Sequence, residues 1–567
     1  MMKKIVIMGA GVGGMSAAHF IATSKHAKEF EVHVIERNSI VGGQARSEGK
    51  PNTGVDGRKD APGEYCWRAY GPGYNNLRQV LKEIPVDDIE GVDNVHDLLL
   101  DLNDFVYTRD NGEVLTINTA SGSENKLSST KQLLKRTSWS DFYKTLDTFV
   151  YSAMSCDERN QSHDDITWKD MMKNLSVEMK KFAINPIGIY YGLDIDKTNA
   201  SAVLDTMGDI ATFVGGNTFS FSVMTGPTNE MWLDRHKAFL ESKGVKFHMS
   251  KNITHVAYDS ESNKIVDVVL DDSETIKGID YAICSLPTES AAKLLRDTPC
   301  GTKLGMLAPL GKQIQTSIAF HLDDLVLFPN PSTVYMVDSP WVLMILPQGH
   351  LWKNVNMADY GDGNIKDYWA VGVGNVNVPG LNGKTFLECT REEAIKEVWD
   401  QCLNSKALEC GAKTESGKPL TEVKVLDTYL WNSFERNPVS GLMDTYEPKF
   451  SNNVGTLATR PHTRTEIDNM FFATAYTHHS GHIFNMEGAC EAANNAVNEV
   501  FSAEDLDYIN TKKDKRRFLG AVFCPFRQVD KAFFKLGLPQ LSKFTCGSLP
   551  LLGLSLGGLA WGILNVL

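Results

Sequence analysis

The sequence predicts an α/β protein: a nucleotide domain built from discontinuous segments, an α+β second domain, and a C-terminal tail that is first basic and then apolar. Three observations predict it. The chain opens on a strand, a glycine loop and a helix, with G-x-G-x-x-G at 9, 11 and 14. α/β character returns over 229–286 and again over 469–501, with other material between. The chain has 567 residues, 42% of them apolar, which allows two to four domains rather than one core. The boundaries that follow are 1–80, 225–300 and 455–505 for the nucleotide domain, 81–224 and 301–454 for the substrate domain, and 506–567 for the tail.

The elements read in order. Residues 3–8 (KKIVIM) and 31–36 (EVHVIE) are short apolar runs suited to buried parallel strands, with a helix of about 15 residues between them. Residues 130–215 read as largely helical, and WSDFYKTLDTFVYSAM places Trp139, Phe142, Tyr143, Leu146 and Val150 on one face. A helix (NEMWLDRHKAFLESKG) then leads into short strands at VKFHM, ITHVAYD, KIVDVVL and YAICSL. Residues 314–347 are strand-rich, and 384–410 contain a charged amphipathic helix, REEAIKEVWDQCL. Residues 469–475 (NMFFATA) predict a last strand and 486–501 a last helix.

The first loop carries the clearest chemistry. In a Rossmann-like unit, Gly9 permits the tight turn, Gly11 lets the backbone approach a pyrophosphate, and Gly14 allows close helix–strand packing; Gly13 extends the run. The helix N-terminus then faces the diphosphate with its N–H groups and dipole. Glu36 ends the second strand, 22 residues after Gly14, where a carboxylate can accept from adenosine ribose hydroxyls.

The next segment, ERNSIVGGQARS (36–47), resembles the second FAD motif of flavin amine oxidases, phytoene desaturases and their relatives. The resemblance implies an FAD-binding domain. Gly42, Gly43 and Arg46 then lie at the diphosphate, where a guanidinium makes bidentate contacts, and Arg37 is a further cofactor-binding residue. The segments 63–77, 224–256, 279–287, 338–352 and 460–476 are similar to the same group. By this resemblance the backbone near Ile253 reaches the adenine. The helix opening at Met486, Glu487 and Gly488 points its N-terminus at the flavin pyrimidine. No Ser-Gly-Gly-Cys-Tyr stretch occurs, so FAD is expected to be non-covalent.

Two positions depart from the group. Ala475 stands where relatives usually carry an acid near the FAD ribityl or phosphates. Gln315 stands, within PLGKQIQTSIAF, where flavin amine oxidases commonly carry a lysine near N5; Lys312 lies three residues earlier and points elsewhere if this is a strand. The departure at 315 argues against amine oxidation. His478, His479 and His482 form H-H-x-x-H without an adjacent acid or thiol, so polar packing or a substrate-side proton donor is expected before a metal site. Cys490 is expected to be buried packing.

Charge places the tail. The net charge is −13, which argues against nucleic-acid binding. Residues 512–543 hold nine Lys/Arg and two Asp, a net of +7 that leaves −20 for the rest. The last 24 residues, 544–567, carry no charge and would extend about 36 Å as a helix, against a hydrocarbon core of about 30 Å. Gly553/Gly557 and Gly558/Gly562 have the small-x-x-x-small spacing of membrane helices. Membrane association through 512–567 is therefore expected, with the FAD domain on the cytosolic side and no secretion. Ten cysteines without a C-x-x-C fit a reducing compartment.

The function expected is an FAD-dependent oxidoreductase, desaturase-like, removing hydride from an apolar small molecule. A flavin amine oxidase using oxygen and a degenerate, non-catalytic membrane flavoprotein are the alternatives.

Overall fold

The computed structural model describes residues 2–509, apart from 67, 72, 103, 119–137, 205–220, 329–331, 407, 409–411 and 482, together with residues 517–540. Strand β1 (Lys3–Met8), helix α1 (Val12–Thr23) and strand β2 (Phe30–Ile35) form the opening unit. β1 lies at the centre of a five-stranded parallel sheet. In space the order is Met470–Phe472, Tyr281–Cys284, β1, β2, Lys246–His248. Three remote parts of the chain thus complete the sheet that the N-terminus begins.

The period-2 rule explains why β1 is apolar from Ile5 to Met8. Ile5 and Ile7 pack with α1 and the helix Met486–Ala503. Val6 and Met8 pack on the opposite side with Val256, Ile265 and Val268 of an antiparallel three-stranded sheet. Both faces are covered over Ile5–Met8, so none of these four residues alternates to water, while Lys3 and Lys4 at the strand's start stay partly exposed.

A second, seven-stranded sheet runs in the order Val425–Leu430, Ser317–Leu322, Asp367–Val373, Leu343–Pro347, Ser332–Met336, Asp104–Thr108, Val114–Asn118. Its pairs are antiparallel except Ser332–Met336 against Asp104–Thr108. Its strands carry a large aromatic core including Trp369, Tyr335 and Tyr368, joined by Trp341 from the turn before Leu343–Pro347. The charged helix settles at Arg391–Leu403, started by a capping box between Thr390 and Glu393.

The helical region holds Trp139–Met154, Asp157–Gln161, Trp168–Met171, Val177–Ala183 and Asn185–Tyr191. The expected apolar face of Trp139–Met154 is only half realised. Val150 is buried against Phe523, but Trp139 is 73% exposed and Tyr143 40%. Among the described side chains, those of the C-terminal helix cover the second half of this face; the side chains of Phe142 and Leu146 lie outside the described residues.

That covering helix is Arg517–Lys535. Phe523 and Phe526 pack on Val150, Ala153 and Met154. Asp530 is fully buried and accepts from Arg159 Nε and from the Cys156 N–H. Part of the segment expected to lie on a membrane is therefore docked on protein. Its basic residues are divided: Arg527 donates to the Ala153 carbonyl and Lys531 pairs with Glu158. Among the described residues no helix is long and apolar enough to cross a membrane. The uncharged stretch 544–567 lies outside the described residues.

Candidate functional site

The four glycines of the first loop have different neighbours. Gly9 takes φ +99° and donates to the Ile35 carbonyl at 2.8 Å. A Cβ on Gly14 would stand 1.9 Å from the Gly9 carbonyl oxygen, and one on Gly13 2.0 Å from that of Ala473. These two are required by packing. A Cβ on Gly11 would meet nothing nearer than the Gly43 Cα at 3.9 Å. Gly11 also leaves the first turn of α1 without a side-chain cap. The open space at Gly11, at a helix N-terminus, is what a close-lying anion needs.

The second loop closes over the first. Gly42, at φ +116°, donates to the Ala10 carbonyl at 2.8 Å, and Gly43 lies directly against Gly11. Glu36 ties both loops to the end of β2. One carboxylate oxygen accepts from the Ala10 N–H at 2.9 Å, the other from the Asn38 N–H and amide. It keeps lone-pair capacity for a ribose hydroxyl.

Arg46 and Arg37 meet an anion supplied by the protein itself. Arg46 Nη2 donates to both oxygens of Glu447, at 3.0 and 2.8 Å, and its Nη1 to the Gly43 carbonyl. Arg37 Nη2 donates to Glu447 at 2.9 Å, and Trp431 Nε1 at 3.2 Å. The Arg46 guanidinium also lies 4.9 Å over the Trp431 ring. Arg46 Nε and the neighbouring Gln44 Oε1 are buried without a partner.

Arg68 joins three parts of the site. It donates to Thr228 Oγ1 at 3.3 Å and to the Gln44 carbonyl at 3.5 Å, and lies 3.9 Å from the Met486 sulfur. Its ion-pair partner is Glu64, at 3.5 Å. Burial raises the Glu64 carboxyl, against the pull of Arg68 and of Thr228.

The helix Met486–Ala503 presents its N-terminus here. Asn485 caps it, accepting from the Gly488 N–H at 2.7 Å. Gly488 is needed because a Cβ would stand 2.5 Å from the His479 ring. Glu487 turns away to helix α2 (Asn75–Lys82), where it accepts from the N–H groups of Asn76 and Leu77. Its placement in the site is thus that of a clamp between two helices. Burial pushes its carboxyl up to about 7.

An arginine lies beside Ala475. Arg460 is buried and donates to the carbonyls of Ala475, Tyr476 and Thr477. His479 also bonds the Ala475 carbonyl, at 3.1 Å, while His478 stacks on His462 with centroids 4.5 Å apart. Burial, helped by Arg460 and His462, holds His478 down to about 4. The two histidines therefore serve separate surroundings; His482 lies outside the described residues. Gln315 is buried, donates to the Gly188 carbonyl at 3.3 Å and has no partner for Oε1. Lys312 turns to Asp444 at 2.8 Å. Ile253 begins the strand Ile253–Asp259 and packs with the core behind β1. Cys490 is fully buried, and burial drives its thiol well up.

The residues present suit a dinucleotide: an open glycine cradle, a helix N-terminus, two guanidiniums and partnerless polar atoms at Gln44 and Arg46. Sequence reasoning missed Glu64, Arg68, Glu447 and Arg460. Glu64 and Arg68 offered a signal, opposite charges four apart in an otherwise apolar and aromatic segment. Glu447 offered none, being 401 residues from Arg46.

Comparison with known proteins fits this geometry. Residues 7–84 match the model of the NAD(P)-binding Rossmann-like domain. The chain is similar in structure to cyclohexylamine oxidase from Brevibacterium oxydans, with a TM-score of 0.56, 14% identity, and coverage of 89% of this chain and 100% of that one. It is similar to a putrescine oxidase, with a TM-score of 0.56, 14% identity and coverage of 88% and 99%. It is also similar to an oxidoreductase from Methanosarcina mazei, with a TM-score of 0.55, 13% identity and coverage of 87% and 99%. Sequence comparison with curated proteins gives no significant match.

Proposed function

We propose, from the flavin amine oxidase-type fold that this chain has, that it is an FAD-dependent oxidoreductase, desaturase-like, removing hydride from an apolar isoprenoid- or lipid-like substrate. The observation that carries this reading is Gly11: its missing side chain serves no packing need, yet it opens the backbone of α1 toward the second loop. FAD, held without a covalent bond, supplies a hydride acceptor when present. The chain's own residues bind and orient it. The N-terminus of α1, Gly42, Gly43 and the two arginines suit the diphosphate, and Glu36 suits the ribose. Arg68 and the N-terminus of Met486–Ala503 add positive potential at the other end of the site. Gln315 favours desaturation over amine oxidation, since a neutral amide replaces an ammonium group. The absorption spectrum of purified protein, with and without added FAD, tests the reading. Flavin bands that bleach under an apolar polyene substrate support it. Amine turnover with peroxide release would instead identify an amine oxidase.

A second reading, a flavoprotein fold that has lost catalysis, is favoured by Ala475 together with the carboxylate of Glu447 on Arg46. Protein that stays colourless in excess FAD supports it.

The tail supports a further part of the proposal, attachment to an anionic membrane face with the FAD domain on the cytosolic side. On the helix Arg517–Lys535 and just beyond it, Lys531, Lys535, Val529, Leu536 and Leu538 are exposed. They lead into the uncharged 544–567. Flotation with phosphatidylserine vesicles tests it, using the full chain and a chain ending at Gln540. A cut before residue 517 is unsuitable, because it would strip Asp530 from Arg159. Equal flotation of both chains, or none of either, rejects this part.

A further inference from the structure

We propose that Glu447 is an internal anion that holds Arg37 and Arg46 in the cofactor-free protein and gives way to the cofactor diphosphate, so that it sets the affinity and rate of FAD loading. The inference rests on the reading that FAD binds over Gly11, Gly42 and Gly43.

The donor set is that of an oxyanion site. One carboxylate receives Arg46 Nη2 across both of its oxygens, an Arg37 N–H and the indole N–H of Trp431, all within 3.2 Å. Such convergence of guanidiniums is the usual way a protein recognises phosphate. The segment carrying Glu447 also lies on the second FAD loop: the Tyr65 hydroxyl donates to the Glu447 carbonyl, and Gln44 Nε2 to that of Pro448 at 2.7 Å. Glu447 and Arg46 are both buried. Arg37 is 41% exposed at its side chain, so its end of the pair opens to solvent.

Charge decides that carboxylate and diphosphate compete. Two guanidiniums against one carboxylate leave a net of +1. A diphosphate of charge −2 added beside a retained Glu447 would turn the group to −1, with two like charges in a site of low dielectric. With Glu447 withdrawn, two positive charges meet two negative ones. Arg46 is prepared for the exchange. Its Nη1 stays anchored on the Gly43 carbonyl, and its Nε has no partner until a larger anion arrives. A carboxylate has two oxygens, whereas a diphosphate offers more acceptors, enough for Nη2 and for the partnerless Nε.

The test compares cofactor-free wild type with Glu447→Gln, titrated with FAD and, separately, with inorganic pyrophosphate. Glu447→Gln is expected to bind both at least tenfold more tightly and to load FAD faster. Equal or weaker binding of both overturns the proposal, since Glu447 would then be holding the arginines in place for the cofactor. Should Glu447→Gln not fold, Glu447→Asp keeps the charge but retracts it by one methylene, and a smaller gain is expected. A measurement on the wild type stands apart from any change at 447. The emission assigned to Trp431, by difference from Trp431→Phe, must change when FAD binds; an unchanged signal overturns the proposal. Pyrophosphate separates the two readings. If Glu447→Gln gains pyrophosphate but no form takes FAD, the FAD reading fails and the competing anion stands.

Discussion

Two buried arginine–carboxylate pairs are built differently. Arg159 has its Nε on Asp530, its Nη2 on the Leu538 carbonyl, and its guanidinium 5.1 Å over the Phe534 ring. Asp530 in turn takes the Cys156 N–H. Arg46 keeps a partnerless Nε, and its carboxylate is shared with Arg37 and Trp431. A closed pair fixes two elements to each other. A pair with a spare donor can take a further acceptor. The difference is between a pair that joins two elements and a pair that keeps donor capacity.

Breaking the closed pair should have the largest effect. Asp530→Asn leaves Arg159 without its buried counter-charge and should lower stability by about 3–5 kcal/mol. Earlier proteolytic cleavage between 517 and 540, with a lower melting temperature, checks it; an unchanged melt would place the two pairs in one class.

The same contrast of closed and open exists in the glycine loop. Gly14→Ala drives a Cβ into the Gly9 carbonyl and should destabilise the fold by about 1–3 kcal/mol. Gly11→Val should melt near the wild-type temperature and retain no FAD. Full flavin content in Gly11→Val would remove the loop from the site.

Glu487 gives an intermediate case, a buried carboxylate that clamps two helices. Its folded value of about 7 lies above the ordinary 4.5, so the folded protein holds a proton that the unfolded chain releases. Stability should therefore be highest below about 4.5 for this group and fall as pH rises through about 7, by at most about 3 kcal/mol. Glu487→Gln should flatten that slope in thermal melts between pH 5 and 8. A slope unchanged in the variant would assign the titration elsewhere.

The smallest effect belongs to Arg37, the exposed partner of the open pair. Arg37→Gln should change stability by less than about 1 kcal/mol, as exposed ion pairs do. A loss as large as that of Asp530→Asn would make the two pairs alike.

Legibility in the sequence followed the range of the interaction. β1, α1 and β2 were readable because strand, turn and helix are set by neighbours within a few residues. Gly9, Gly14 and Glu36 carry their reasons in their spacing. Glu487 read as part of a helix end, but its partners Asn76 and Leu77 are some 410 residues away and nothing local announces them. Trp139 and Tyr143 had the right period for a buried face, yet periodicity cannot say how far a covering helix will reach. Arg460 filled the neighbourhood of Ala475 through backbone carbonyls, which leave no trace in side-chain patterns.

The Arg159–Asp530 pair also bears on how the protein is made. The two residues are 371 positions apart. At about 5–20 residues per second, the ribosome delivers Asp530 roughly 20–75 s after Arg159 has been added. For that interval the surface of Trp139–Met154 and Asp157–Gln161 lacks its cover and its counter-charge. The nascent helical layer is then a waiting surface, one that chaperones would have to shield until the last helix arrives.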